Sequence, residues 1–114
     1  MKLPYHYLFF TILLMGFFAN SQSNPKKKAQ VITNEMSQFL DLTKKESNAV
    51  FQIQLNRFIE AKDIRSKFFD QPTIQKEKLK LLGNKVYNDL KNLLGVDRIK
   101  KWKDFKNNKN HSKK

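Results

Sequence analysis

The chain has 114 residues, a formal net charge of +13 and no cysteine. That length allows one domain at most, and the missing thiols exclude disulfide staples, cysteine nucleophiles and thiolate metal sites. Stability must come from packing alone, in a body small enough to gain from self-association.

The opening residues stand apart from that body. Met1-Lys2 is basic, residues 8–18 (LFFTILLMGFF) form an apolar run, and Ala19-Asn20-Ser21 supplies the small residues that a signal peptidase reads. The run is shorter than the roughly 20 residues of an ordinary membrane span. Residues 1–21 are therefore expected to be a signal peptide cut between Ser21 and Gln22, with export to the periplasm or beyond. An uncleaved, membrane-tethered form is the alternative. No cysteine is present for a lipid anchor.

Residues 22–28 (QSNPKKK) are polar and read as a flexible basic lead, ahead of a helical domain over residues 29–106. Ile32, Met36, Phe39 and Leu40 recur at helical spacing, so residues 29–41 are expected to form a short amphipathic helix. Thr43-Lys44-Lys45-Glu46 then fits a capping box: the Thr hydroxyl accepts from the Glu46 backbone, and the Glu carboxylate accepts from that of Thr43. The helix it opens is expected to run to about Phe69, where Asp70-Gln71-Pro72 breaks it. Its apolar positions (Val50, Phe51, Ile53, Leu55, Phe58, Ile59, Ile64, Phe68) cover most of the circumference. One partner helix cannot bury so wide an arc, so this rod needs two neighbours, or one neighbour and a second subunit.

Residues 73–94 place Leu79, Leu82, Val86, Leu90 and Leu93 on one face and lysines outside it. With only the Pro72 turn between them, the two long helices should pair antiparallel. A last helix follows Gly95 or Asp97, with Ile99, Trp102 and Phe105 sharing a face. Residues 107–114 (NNKNHSKK) lack apolar residues and read as a disordered basic tail. No segment alternates as a strand would. The expected fold is all-α, a hairpin-based domain of about four helices that dimerises.

The chemistry-bearing residues are sparse. His111 is the one histidine beyond the leader, and it stands in the tail. Neither a catalytic triad nor a zinc or copper site has the ligands it needs. Glu60 and Asp63 share a face, but Asp63 is four residues from Lys67 and reads as a surface ion pair. No glycine-rich phosphate loop occurs. These absences predict a protein that is not an enzyme, with no catalytic residue, no metal site and no cofactor.

The charge is uneven. Residues 98–114 hold eight basic residues against one acidic, whereas residues 29–97 hold eleven against nine. Trp102 among Arg98, Lys100, Lys101, Lys103 and Lys106 superficially suits nucleic acid. Its shared face with Ile99 and Phe105 makes it core instead, and export separates the protein from nucleic acid. A basic tail outside the cytoplasm suits anionic lipid, lipopolysaccharide or acidic proteins, and solubility alone is an equal reading.

Leu42-Thr43-Lys44-Lys45-Glu46 resembles the L-T-x-x-Q motif of the small periplasmic Spy/CpxP-like stress proteins, with Glu in place of Gln. A degenerate second copy, Leu94-Gly95-Val96-Asp97-Arg98, stands before the last helix, where that family repeats the motif. Leu42 then matches Leu94, Val50 matches Trp102 and Ile53 matches Phe105. The resemblance implies helical hairpins that dimerise into a cradle and act as ATP-independent chaperones or as envelope sensors, some linked to extracytoplasmic sigma factors. The His ligands of the metal-sensing branch are absent. Leu42, Thr43, Glu46, Leu94 and Asp97 are expected to be structural caps. The expected partner-binding face is Val50, Phe51, Leu55, Phe58 and Ile59, with Lys100 and Lys101. Its partners would be unfolded or acidic clients, or one envelope protein.

Overall fold

The computed structural model describes residues 24–112, which form four helices: α1 (Pro25–Leu40), α2 (Lys44–Lys67), α3 (Pro72–Leu94) and α4 (Val96–Ser112). No strand occurs among the described residues. The expected signal peptide and the cut at Ser21–Gln22 lie outside them.

Each joint is short and has a local cause. Asn24 caps α1 by accepting from the Lys27 backbone N–H at 3.2 Å, and Pro25 fills the first helical turn, where its missing N–H costs nothing. The helix therefore starts at Pro25, and Lys26, Lys27 and Lys28 belong to it rather than to a flexible lead. Asp41 ends it in the left-handed region (φ 51°), and the Leu42 backbone N–H donates to the Ser37 carbonyl at 3.1 Å. Thr43 and Glu46 make both bonds of the capping box, at 3.1 and 3.0 Å. Gly95 alone joins α3 to α4; its φ of 91° is a conformation that side chains resist.

The helices alternate in direction. α2 packs against both α1 and α3, which is how its broad apolar surface finds two neighbours; α4 closes the arrangement against α3 and α1. The dense part of the core lies near the α1–α2 and α3–α4 turns, where Met36, Leu40, Val50, Leu90, Leu94, Ile99 and Trp102 are buried. Toward the other end the buried residues are Ala29, Thr33, Ala61, Leu82 and Val86. The three rings of Phe39, Trp102 and Phe105 fasten α4 to α1, Phe39 stacking on Phe105 at 4.2 Å between centroids.

The tail also departs from expectation. α4 continues through residues 107–112, although they carry no apolar side chain. Lys109 explains the extension: it reaches Glu35 of α1 at 3.6 Å and lies over the Phe105 ring. Lys106 joins the same carboxylate at 3.4 Å.

A second carboxylate holds the start of α4. Arg98 donates to both oxygens of Glu46, at 3.1 and 2.6 Å, and its Nε donates to the Leu94 carbonyl at 2.9 Å. One guanidinium thus caps the end of α3 and binds the first turn of α2. The paired Arg98, together with the Thr43 backbone, holds the Glu46 carboxyl down to about 2, from an ordinary 4.5.

A carboxylate held low in the folded state takes up protons in the unfolded chain first, so its contribution is whole above about pH 4.5 and gone by about pH 2. The thermal midpoints of the wild type and Glu46→Gln should therefore differ at neutral pH and converge as pH falls through that window. A gap independent of pH would contradict the pairing. Thr33 gives a second expectation, because its buried hydroxyl has no hydrogen-bond partner among the described residues. Thr33→Val keeps the shape, and chemical denaturation should show a gain of about 1 kcal/mol.

Candidate functional site

The four helices leave a cleft of about 420 Å³ between them. Its walls are apolar: Ile32 from α1, Phe58 from α2, Val86 and Leu90 from α3, Ile99 and Trp102 from α4. Its charged groups are all cationic, namely Arg57, Lys103 and Lys106, and its neutral polar groups are Gln54, Tyr87 and Asn107.

Gln54 is buried to 1% exposure and sets the geometry of the cleft floor. Its side-chain amide N–H donates to the Met36 sulfur at 3.6 Å, and its carbonyl oxygen accepts from Arg57 Nη1 at 3.2 Å. Arg57 also lies over the Phe58 ring, 5.2 Å from its centroid. Burial, together with the nearby charge of Arg65, pushes the Arg57 guanidinium below its ordinary value. Glu60 and Asp89 line a smaller groove on the other side of Arg57. Glu60 pairs with Lys85 at 3.6 Å, and neither acid comes within ion-pair distance of Arg57. Lys103 is exposed and sits 5.7 Å from the Tyr87 ring centroid. Lys106, by contrast, is engaged by Glu35.

The residues singled out from sequence fall in three places. Val50 is buried in the core, and Phe58 lines the cleft. Phe51 and Leu55 remain half-buried and Ile59 is exposed, forming a stripe at i, i+4 and i+8 along the outside of α2. Lys100 and Lys101 do not join that stripe, because α4 packs on α1 and α3 and not along α2. Lys101 lies instead over the Phe39 ring. The expected pairing of the apolar face with those two lysines is thus corrected. Asp63 does pair with Lys67, at 3.2 Å.

The cap residues behave as expected at the first copy, whereas the second copy works through a different side chain. Leu42 is half-buried and Leu94 is buried, while Asp97 is exposed in the first turn of α4. Arg98 is the functional member of that turn, and sequence reasoning passed over it. A signal existed: Glu46 and Arg98 occupy the same last position of the two motif copies and carry opposite charges. The cleft had no comparable signal, since Gln54, Arg57, Gly83 and Lys103 share no motif. Among the described residues no cluster of His, Cys, Asp and Glu is arranged to hold a metal ion, and no helix is long and apolar enough to cross a membrane. The chain matches no family model, no curated protein and no solved structure.

Gly83 lies in the interior of α3 and lines the cleft, and a Cβ built on it would meet nothing within 4 Å. Glycine inside a helix costs about 0.5–1 kcal/mol relative to alanine, and no close packing accounts for it here. Gly83→Ala should therefore stabilise the protein by about that amount, read as a higher denaturant midpoint with an unchanged slope. A loss of stability would show that the backbone at this position needs glycine.

Proposed function

We propose that this is an exported, non-enzymatic binding protein that holds exposed apolar segments of other proteins without ATP, in the manner of the Spy/CpxP-like proteins its paired motifs resemble. The observation that carries the reading is the outer stripe of α2. Phe51 and Leu55 keep part of their surface open, Ile59 is 49% exposed, and none of the three is among the partly buried hydrophobics packed against the core. Lys44 and Lys62, both exposed, stand at either end of the stripe by helical spacing. Phe69, 78% exposed, adds apolar surface just beyond the end of α2.

Solvated rungs of this kind suit weak, reversible contact with many sequences. A flanking lysine favours segments that also carry acid, and steers them through a field that salt screens. A docking protein for one envelope partner is the competing reading, and it would leave a single dominant crosslinked species.

The test uses residues 22–114 with a reduced or heat-stressed client. At stoichiometric amounts and low salt the protein should slow aggregation, and Leu55→Ser with Ile59→Ser should remove most of that protection without moving the thermal midpoint. A wild type that protects nothing, or a stripe variant that protects as well as the wild type, overturns the proposal.

A further inference from the structure

We propose that the cleft between the four helices is a binding site for a single-chain amphiphilic anion, a long-chain carboxylate whose head meets Arg57 and Lys103 and whose tail lies along Phe58, Val86, Leu90 and Trp102. The site is separate from the outer stripe of α2, so the aggregation assay does not bear on it.

Three features of the cleft converge on that ligand class. The first is charge. Three cations that reach a neighbouring helix meet a carboxylate there: Arg98 has Glu46, Lys106 has Glu35, and Lys85 has Glu60. Lys101 meets an aromatic ring instead, but it is exposed. Arg57 is half-buried, held by an uncharged amide and an aromatic face, with no carboxylate in ion-pair reach among the described residues. A desolvated cation of this kind gains most from a counter-ion delivered by a ligand. Lys103 stands on the same cleft over Tyr87.

The second feature is space. Gly83 leaves its wall bare although a larger residue would suit the helix better and would meet no obstacle. The volume of about 420 Å³ falls in the range of small-molecule sites.

The third feature distinguishes an acyl chain from a peptide. An extended peptide brings an N–H and a C=O with every residue, and each needs a partner when buried. The walls offer mostly the side chains of Ile32, Phe58, Val86 and Leu90. The neutral polar groups, Gln54 (already bonded to Met36 and Arg57), Tyr87 and Asn107, are too few for the run of amides a peptide brings. An aliphatic tail asks for no such partners and leaves one polar group to satisfy at the cationic rim.

Trp102 is the single tryptophan of the chain and lines the cleft, so it reports occupancy directly. Dodecanoate carrying a bromine on its chain, kept below its micelle concentration, should quench Trp102 emission saturably at one molecule per protein. Dodecyltrimethylammonium of the same chain length should bind at least about tenfold more weakly, and Lys103→Met should weaken the carboxylate by about tenfold. Gly83→Phe should fill the cleft and abolish quenching with the thermal midpoint kept or raised. If that variant fails to fold, the exposed Lys103→Met carries the test. The proposal is overturned by an absence of saturable quenching in the wild type, by equal binding of the cationic amphiphile, or by unchanged quenching in a folded Gly83→Phe. Protection of Trp102 from iodide by an acidic, apolar peptide but not by dodecanoate would assign the cleft to a protein segment and also overturn it.

Discussion

The bundle depends on holding a strongly cationic helix against its neighbours. α4 carries Arg98, Lys100, Lys101, Lys103, Lys106 and Lys109 within about four turns, so it repels itself and gains little from isolated helix formation. Two glutamates offset this at its two ends. Glu46 binds Arg98 where α4 begins, and Glu35 gathers Lys106 and Lys109 where it finishes. Between them the rings of Phe39, Trp102 and Phe105 supply the apolar contact. Partly exposed ion pairs contribute little individually. Their role here is to fix which way α4 lies, while burial of Ile99 and Trp102 provides the larger share of the energy.

Fastening α4 in this way determines what the rest of the molecule leaves open. The largest buried side chains concentrate near the turns that bear Glu46 and Arg98, and further along Ala29, Thr33 and Ala61 are buried with Leu82 and Val86. The cleft borders the dense part of the core, because Leu90, Ile99 and Trp102 belong both to that core and to the cleft walls. The outer stripe of α2 has another origin: α2 packs against α1 and α3, and its apolar arc is wider than those two contacts bury, leaving Phe51 and Leu55 partly open and Ile59 exposed.

Much of the architecture was legible because it rests on local signals. The capping box at Thr43, the break at Pro72 and the leucine face of α3 each specify an element without tertiary help. Leu82, Val86 and Leu90 are buried as their spacing requires, and Trp102 sits in the core with Ile99 rather than on a basic surface. The two ends of the bundle depart from the sequence reading for different reasons. Asn24-Pro25 is a helix start whose force was outweighed, in a composition-based reading, by three lysines. Residues 107–112 hold their helix through the contacts Lys109 makes with α1, which no local pattern encodes. The cleft was invisible for a stronger reason of the same kind. Gln54 sits among apolar residues of α2, and only the approach of α1 and α4 makes it a floor.

The two motif copies differ from one another at the one position where they touch. Glu46 stands at the positive end of α2 and accepts the Thr43 backbone N–H as well as the guanidinium; Arg98 faces the carbonyl end of α3. An arginine at position 46 would have no lone pair for Thr43, and a glutamate at position 98 would meet the Leu94 carbonyl oxygen. Exchanging the charges would thus keep the attraction and lose both caps. The contact has a polarity set by the backbone at each end, and only one placement of the two charges satisfies both caps. The acid belongs to the first copy and the base to the second.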